Sequence, residues 1–166
     1  MKNIHKILVP TDFSELSLSA LDYACLIAAT QGATIYLLYV VDTIPKVVFP
    51  TVDAASETAL RDAEADGASK LKYLASKHLN KYPHVVEAMR RGTAYAGIVK
   101  FAEDEGIDLI VISTHGRTGL AHVLLGSVAE KVVRHSTVPV LTVKPQELRD
   151  EMINEEDVEE QLHLKN

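Results

Sequence analysis

Glycine and small polar residues are concentrated between residues 113 and 128, which read STHGRTGLAHVLLGSV. Glycine carries no side chain, so the backbone N–H groups around it can approach an anion closely. Gly126-Ser127 stands where the next helix is expected to begin, and the free N–H groups and positive dipole end of a helix start favour phosphate. These features indicate a loop that could hold phosphate groups.

The same segment also has a purely structural interpretation. No Gly-Lys-Ser/Thr ends it and it holds no Gly-x-Gly-x-x-Gly, so the two common nucleotide fingerprints are absent. Ser127-Val-Ala-Glu130 matches a capping box, which predicts that the Ser127 side chain caps the last helix. Arg117 could neutralise phosphate charge, or it could be a solvated loop side chain. From the residues alone, a phosphate loop and a plain strand-to-helix connection both stay open.

Asp12 is the second candidate, because it follows Pro10 and Thr11 at the end of a short apolar strand. Its carboxylate could accept hydrogen bonds from a ribose or from an adenine amino group. It could equally be an N-cap or turn residue of the following helix, since Thr-Asp-Phe-Ser is rich in cap-forming residues. Both interpretations stay open.

Catalytic and metal-binding patterns are missing from the sequence. The seven histidines show no H-x-x-x-H or cysteine-paired spacing, which argues against a zinc site held by the protein. No Gly-x-Ser-x-Gly elbow occurs, and Cys25 stands on the apolar face of a predicted helix, where a buried thiol is expected. The sequence therefore predicts a binding loop without a catalytic set.

Charge is distributed unevenly along the 166 residues. Residues 146–166 contain eight acidic and two basic residues, whereas residues 1–145 contain 15 of each. A neutral body without a basic face argues against nucleic-acid binding. We therefore predict one domain over 1–145 and an acidic, partly helical extension over 146–166, which is either a solvated appendage or a segment that binds a protein partner.

Targeting signals are also missing. No apolar run approaches the roughly 18–20 residues that a membrane span needs, and MKNIHKILVPTD turns polar too early for a signal peptide. A single cysteine fits a reducing compartment. The expected location is the cytoplasm.

Apolar runs alternate with helical periodicity over most of the chain. Strands are predicted at 6–12, 33–42, 84–89, 108–113 and 138–143, and helices at about 14–31, 53–79, 93–106 and 127–136, with a proline-containing loop at 43–53. This pattern predicts an α/β fold, a single open parallel five-stranded sheet with helices on both faces. Ligands of such sheets bind beyond the carboxyl ends of the strands, which places the loops after the first and fourth strands at the predicted site.

The chain resembles the universal stress protein family over residues 4 to 144, and in particular its nucleotide-binding branch. The resemblance is carried by KILVPTDFSELSLSALDYA, LLYVVD and DLIVISTHGRTGLAHVLLGSVAEKVVRHSTVPVLTVK. Nucleotide-binding members have a glycine, two residues, a second glycine, nine residues and then Gly-Ser/Thr. Here Gly116 matches the second glycine and Gly126-Ser127 the end of the motif, while Ser113 takes the place of the first glycine.

The resemblance implies a fold like that of the adenine nucleotide alpha hydrolases, which is Rossmann-like with strand order 3-2-1-4-5. It also implies an adenine-nucleotide site, with ATP or AMP as ligand and Mg²⁺ carried by the phosphates. The implied contacts are the Pro10-Thr11-Asp12 segment around adenine and ribose; the backbone of Val40 or, preferentially, Val41 at the adenine ring; and Ser113, His115, Gly116, Gly126, Ser127 and Val128 around ribose and phosphates. Arg117, in the same loop, is the further candidate for phosphate binding that its charge alone suggests. Family members form homodimers through the last strand, here 138–143.

The function that this resemblance implies is a cytoplasmic, dimeric stress-response sensor or regulator that binds an adenine nucleotide and is not an enzyme. Two alternatives stay open. A nucleotide-free dimeric scaffold is favoured by Ser113 in place of glycine. A slow ATP hydrolase could use the same loop, although the sequence offers no identifiable base and no Walker-type lysine.

Overall fold

Strands and helices alternate strictly along the residues that the computed structural model describes, which are 3–42, 54–115 and 125–145. The elements are β1 (Lys6–Pro10), α1 (Glu15–Gln31), β2 (Thr34–Val41), α2 (Ala54–His78), β3 (Val85–Arg91), α3 (Ala94–Asp104), β4 (Leu109–Ser113), α4 (Ser127–His135) and β5 (Val140–Val143). The predicted order of elements is confirmed. The last strand begins at Val140, two residues later than predicted, because Pro139 bonds to β4 only through its carbonyl and has no N–H to donate.

All five strands pair in parallel, in the order β3-β2-β1-β4-β5. The predicted fold class and strand order are therefore confirmed. Ile7 of the central strand pairs with Ile35 of β2 on one side and with Leu109 of β4 on the other. The strand order reverses between β1 and β4, so the crevice expected to bind a ligand opens above these two strands.

Apolar layers cover both faces of the sheet, because successive side chains of a strand point to opposite faces. One layer joins α1 and α2 to the sheet through residues that include Ile7, Val9, Leu21, Ile35, Leu37, Leu71 and Val111. The other joins α3 and α4 to it through residues that include Leu8, Leu38, Ile98, Phe101, Ile110 and Val132. The near-continuous apolar runs of the inner strands follow from this double burial.

Glycine ends α1 as predicted. Gly32 adopts the left-handed conformation, with φ of 67°, and its N–H donates to the carbonyl oxygen of Ala28.

Within residues 3–42, 54–115 and 125–145, no helix combines the length and the apolar character that crossing a membrane requires.

Candidate functional site

A cavity of about 480 Å³ lies at the carboxyl edge of the sheet, where β1, β2 and β4 end and α4 begins. Its lining includes ten of the residues predicted from the sequence: Pro10, Thr11, Asp12, Val40, Val41, Ser113, His115, Gly126, Ser127 and Val128. Gly116 and Arg117, the other two, lie outside the described residues. Ten side chains that the sequence did not single out complete the lining: Ser17, Leu38, Tyr39, Asp42, Ala63, Ala94, Ile98, Ile112, Thr114 and Ala129.

The turn from β1 into α1 is held by hydroxyl groups. The N–H of Thr11 donates to the carbonyl oxygen of Leu38 at 2.9 Å, which continues the ladder one residue beyond β1. The buried Thr11 Oγ1 accepts from the N–H of Phe13 at 3.0 Å and lies 3.1 Å from Ser17 Oγ. These bonds replace the ladder partners that the chain loses as it turns.

Asp12 braces the same turn. Its Oδ1 accepts from the N–H of Ser14 at 3.0 Å and from Ser14 Oγ at 2.6 Å. Ser14 is the N-cap of α1, and its side-chain oxygen accepts from the N–H of Ser17 at 3.2 Å. Of the two structural alternatives for Asp12, the structure therefore shows the turn and not the cap, and the residue also lines the cavity.

The end of β4 is buried between its neighbours. Ser113, Thr114 and His115 are each less than 8% exposed. Thr114 donates its N–H to Val143 of β5 at 2.8 Å, and its Oγ1 lies 2.9 Å from Nδ1 of His115. The Ser113 hydroxyl accepts from the N–H of His115 at 3.3 Å. The serine that replaces the first glycine of the motif thus folds its side chain back onto the following backbone.

Gly126 joins the last helix to β4. Its N–H donates to the carbonyl oxygen of Thr114 at 2.7 Å, and it is the N-cap of α4. The prediction that Ser127 caps α4 is wrong: Ser127 is the first helical residue, and Gly126, in extended conformation, occupies the cap without a side-chain bond. The reason is that the contact with β4 sets where the chain turns into the helix. The first turn of α4 then borders the cavity through Ser127, Val128 and Ala129.

The end of β2 presents backbone to the cavity. The carbonyl of Leu38 bonds to Thr11 on the β1 side, and that of Val41 bonds to Gly92 on the β3 side at 3.0 Å. Because this orientation alternates along a strand, the N–H and C=O of Val40 point toward β1, whose strand ends at Pro10. Val40 therefore offers its backbone beside the cavity, while its side chain packs against Gly97 of α3.

The charges around the cavity are mostly negative. Among the described lining residues are the carboxylates of Asp12 and Asp42, and neither lysine nor arginine. No group of three or more His, Cys, Asp or Glu side chains that could hold a metal ion occurs within the part of the chain that the structure describes. Among the described residues, a bound anion would be met by backbone N–H groups and the start of α4.

Comparison with known proteins identifies the family of this chain. The family model for the universal stress protein family matches residues 3–144. The chain belongs to the universal stress protein family. Universal stress protein MJ0531 of Methanocaldococcus jannaschii is 40% identical over 142 residues, which cover 84% of this chain and 81% of the relative. MJ0577 of the same organism is 33% identical over 152 residues, covering 84% and 94%.

Solved universal stress protein structures share the fold. The structure of MJ0577 superposes with a TM-score of 0.77 at 32% identity, covering 87% of this chain and 99% of the other. A universal stress protein in complex with cAMP has a TM-score of 0.65 at 24% identity, covering 86% and 98%. A universal stress protein from Archaeoglobus fulgidus in complex with dAMP has a TM-score of 0.62 at 19% identity, covering 86% and 100%.

Proposed function

We propose that this universal stress protein binds an adenine nucleotide, ATP or AMP, and acts as a cytoplasmic stress-response sensor or regulator. The observation that carries the proposal is that one cavity unites the Pro10-Thr11-Asp12 turn, the end of β2 and the Gly126-Ser127 helix start. These three segments are distant in sequence. The resemblance implies that the first contacts adenine and ribose, the second contacts adenine, and the third contacts ribose and phosphates. Relatives of the same fold contain cAMP or dAMP, which supports the adenine ligand.

In this proposal, each segment has its own part. Asp12 accepts hydrogen bonds from the ribose, with Pro10 and Thr11 shaping the wall beside it. The backbone of Val40 meets the adenine edge in this proposal. The sequence had favoured Val41, but the Val41 carbonyl already accepts from the N–H of Gly92 on the β3 side. The phosphates lie at the N-terminus of α4, with Ser113, His115, Gly116, Gly126, Ser127 and Val128 around ribose and phosphates and Arg117 neutralising charge.

The cavity fits such a ligand in size and chemistry. Its 480 Å³ falls within the range of about 300–1,000 Å³ of small-molecule sites. Two carboxylates and the backbone of Val40 beside the cavity suit the hydroxyl and amino groups of a nucleoside. With no cluster of metal ligands among the described residues, Mg²⁺ would be brought by the phosphates themselves.

Calorimetric titration of nucleotide-stripped protein with ATP and AMP tests the proposal. We expect saturable heat for at least one of them, and weaker binding in Asp12→Ala. Asp22→Ala, which removes an exposed carboxylate from α1, is the matched control and should bind as the wild type does. Absence of heat with both nucleotides at millimolar concentration would favour the nucleotide-free scaffold instead.

The proposal assigns no catalytic role to the cavity. A steady release of phosphate from ATP that disappears in Asp12→Ala would establish the slow hydrolase in its place. Mass spectrometry of extracts from freshly purified protein gives an independent check, because co-purified nucleotide identifies the ligand that the cell supplies.

We further propose that the domain of residues 1–145 forms a homodimer through the last strand, 138–143. β5 ends the sheet of described residues, and an apolar edge strand favours pairing with another copy. Pro139 and Val143 bond to β4 through their carbonyls, so Thr142 points its N–H outward by alternation. Thr142→Pro removes that donor and should halve the mass measured by light scattering, whereas Thr142→Val should leave it unchanged.

The acidic segment 146–166 lies outside the described residues, and its separate role stays a prediction.

A further inference from the structure

Phe13 has an unusual backbone conformation. Its φ of 67° places it in the left-handed region, and it is the only non-glycine residue with positive φ among those that the structure describes. For a bulky side chain this region is sterically disfavoured, and it persists only where the surroundings enforce it. Such residues concentrate at functional sites, and Phe13 immediately follows Asp12 in the cavity wall.

Two other elements contact the ring of Phe13, one through an aromatic ring and one through a lysine side chain. Its ring centroid lies 4.5 Å from that of Tyr39 on β2, and Lys70 Nζ of α2 lies 5.9 Å from the Phe13 centroid. Tyr39 is in turn confined by α2, since a Cβ at Gly67 would lie 2.8 Å from its ring. Phe13 is therefore wedged between α2 and the end of β2.

The conformation of Phe13 controls the direction of the Asp12 carboxylate. The bonds from Ser14 to Asp12 Oδ1 span residue 13, and the N–H of Phe13 is held by Thr11 Oγ1. Changing φ at residue 13 would move Ser14 relative to Asp12 and break this pair of bonds. The carboxylate would then lose the two bonds from Ser14 at the cavity wall.

We infer that Phe13 is a positioning residue for the nucleotide site: its ring anchors the turn against Tyr39, and its left-handed backbone directs Asp12 at the ligand. The inference rests on the proposed function, since it concerns the same cavity. It predicts that α2 and the Asp12 carboxylate are coupled through one aromatic contact. A purely structural Phe13 would change stability without changing affinity.

The test measures ATP affinity by calorimetry in single and double variants. Phe13→Gly accepts the left-handed conformation, so the chain still folds, but it removes the anchor; we expect affinity to fall by about tenfold to a hundredfold. In an Asp12→Ala background, the same substitution should cause no further loss, because Phe13 acts through Asp12. Phe13→Tyr retains the ring, so its affinity for ATP should equal that of the wild type.

Phe101→Leu is the control for general destabilisation, because Phe101 is buried in the layer on the other face of the sheet. Urea unfolding should show a loss of stability for it without a loss of affinity. Unchanged affinity in Phe13→Gly, or losses that add fully in the double variant, would overturn the inference while leaving the nucleotide site intact. A wild type that binds no nucleotide would instead overturn the proposed function and this inference together.

Discussion

The N–H of Gly126 donates a hydrogen bond to the carbonyl oxygen of Thr114, and a Cβ added to Gly126 would lie 2.9 Å from that same oxygen. The helix start thus meets the end of β4 backbone to backbone. The sequence suggested that this glycine is needed for approach to a phosphate. The structure shows that it is needed first for contact within the protein, and the two requirements are compatible.

Gly126→Ala should therefore affect stability as well as binding. The added Cβ forces the start of α4 away from β4, and we expect a loss of about 1–3 kcal/mol in the free energy of unfolding. Nucleotide affinity should fall too, because the first turn of α4 borders the cavity. Urea denaturation and calorimetry measure the two effects. Ser127→Ala is the control: it keeps the backbone, and its stability should stay within about 0.5 kcal/mol. An unchanged stability of Gly126→Ala would contradict the contact.

Gly97→Ala should destabilise the protein even though alanine favours a helix over glycine by about 1 kcal/mol. The new Cβ would lie 2.9 and 3.0 Å from the two methyl carbons of Val40. Val40→Ala should relieve the clash, so the double variant should be more stable than the sum of the single changes predicts, by about 0.5–3 kcal/mol. A double-mutant cycle in urea measures this coupling. A single Gly97→Ala variant that is more stable than the wild type would disprove it.

Thr11→Val keeps the side-chain shape and removes the hydroxyl. The N–H of Phe13 then loses its acceptor and Ser17 Oγ loses a neighbour, so we expect a loss of about 1–3 kcal/mol. Thr30→Val is the matched control, because Thr30 is exposed on α1 and its hydroxyl bonds only locally, to the carbonyl of Ile27. Thermal or urea unfolding compares the two. Equal effects at both positions would show that the hydroxyl of Thr11 is not essential to the turn.

Stability at alkaline pH should depend on Cys25. Burial raises the pKa of its thiol above the ordinary value of 9.0. The unfolded chain therefore releases this proton at lower pH than the folded protein does. The stability that the protonated Cys25 thiol contributes is fully present below the pKa that the thiol has in the unfolded chain. It is lost as the pH rises through the pKa that the thiol has in the folded protein. The free energy of unfolding, measured from about pH 8 to about pH 10, should fall more steeply for the wild type than for Cys25→Ala. Parallel curves would show that the thiol does not contribute.

Much of the fold could be predicted from the sequence, because burial on both faces requires the continuous apolar runs of Ile7–Val9 and Leu109–Ile112. The cavity wall could be located because parallel strands place their carboxyl ends at one edge, which brings Asp12 and Ser113 together. Both arguments use only the spacing of apolar residues and the direction of the predicted strands, and these can be read from the sequence alone.

Other features depend on contacts between distant residues. Ser127 matches a local capping pattern in the sequence. Gly126 is nevertheless the N-cap, because its N–H bonds to the carbonyl oxygen of Thr114. A contact between residues so far apart cannot be read from a local sequence pattern. The left-handed Phe13 was equally hidden, since its support comes from Tyr39 and α2. Gly67 and Gly97 were the available signals: a glycine inside a predicted helix often marks close packing, and these two confine Tyr39 and Val40.

The central position of β1 has a consequence for synthesis of the protein. β1 pairs with β4, about 100 residues later in the chain. Leu8 therefore cannot pair with Ile110 until Ile110 has been translated. At ordinary translation speeds of about 5–20 residues per second, that interval lasts on the order of 5–20 s. During it, one edge of β1 has no native partner, although Ile7, Leu8 and Val9 of that strand are fully buried in the finished protein. A ligand of the cavity described above cannot shorten this period, because the walls of that cavity include α4, which is made later still.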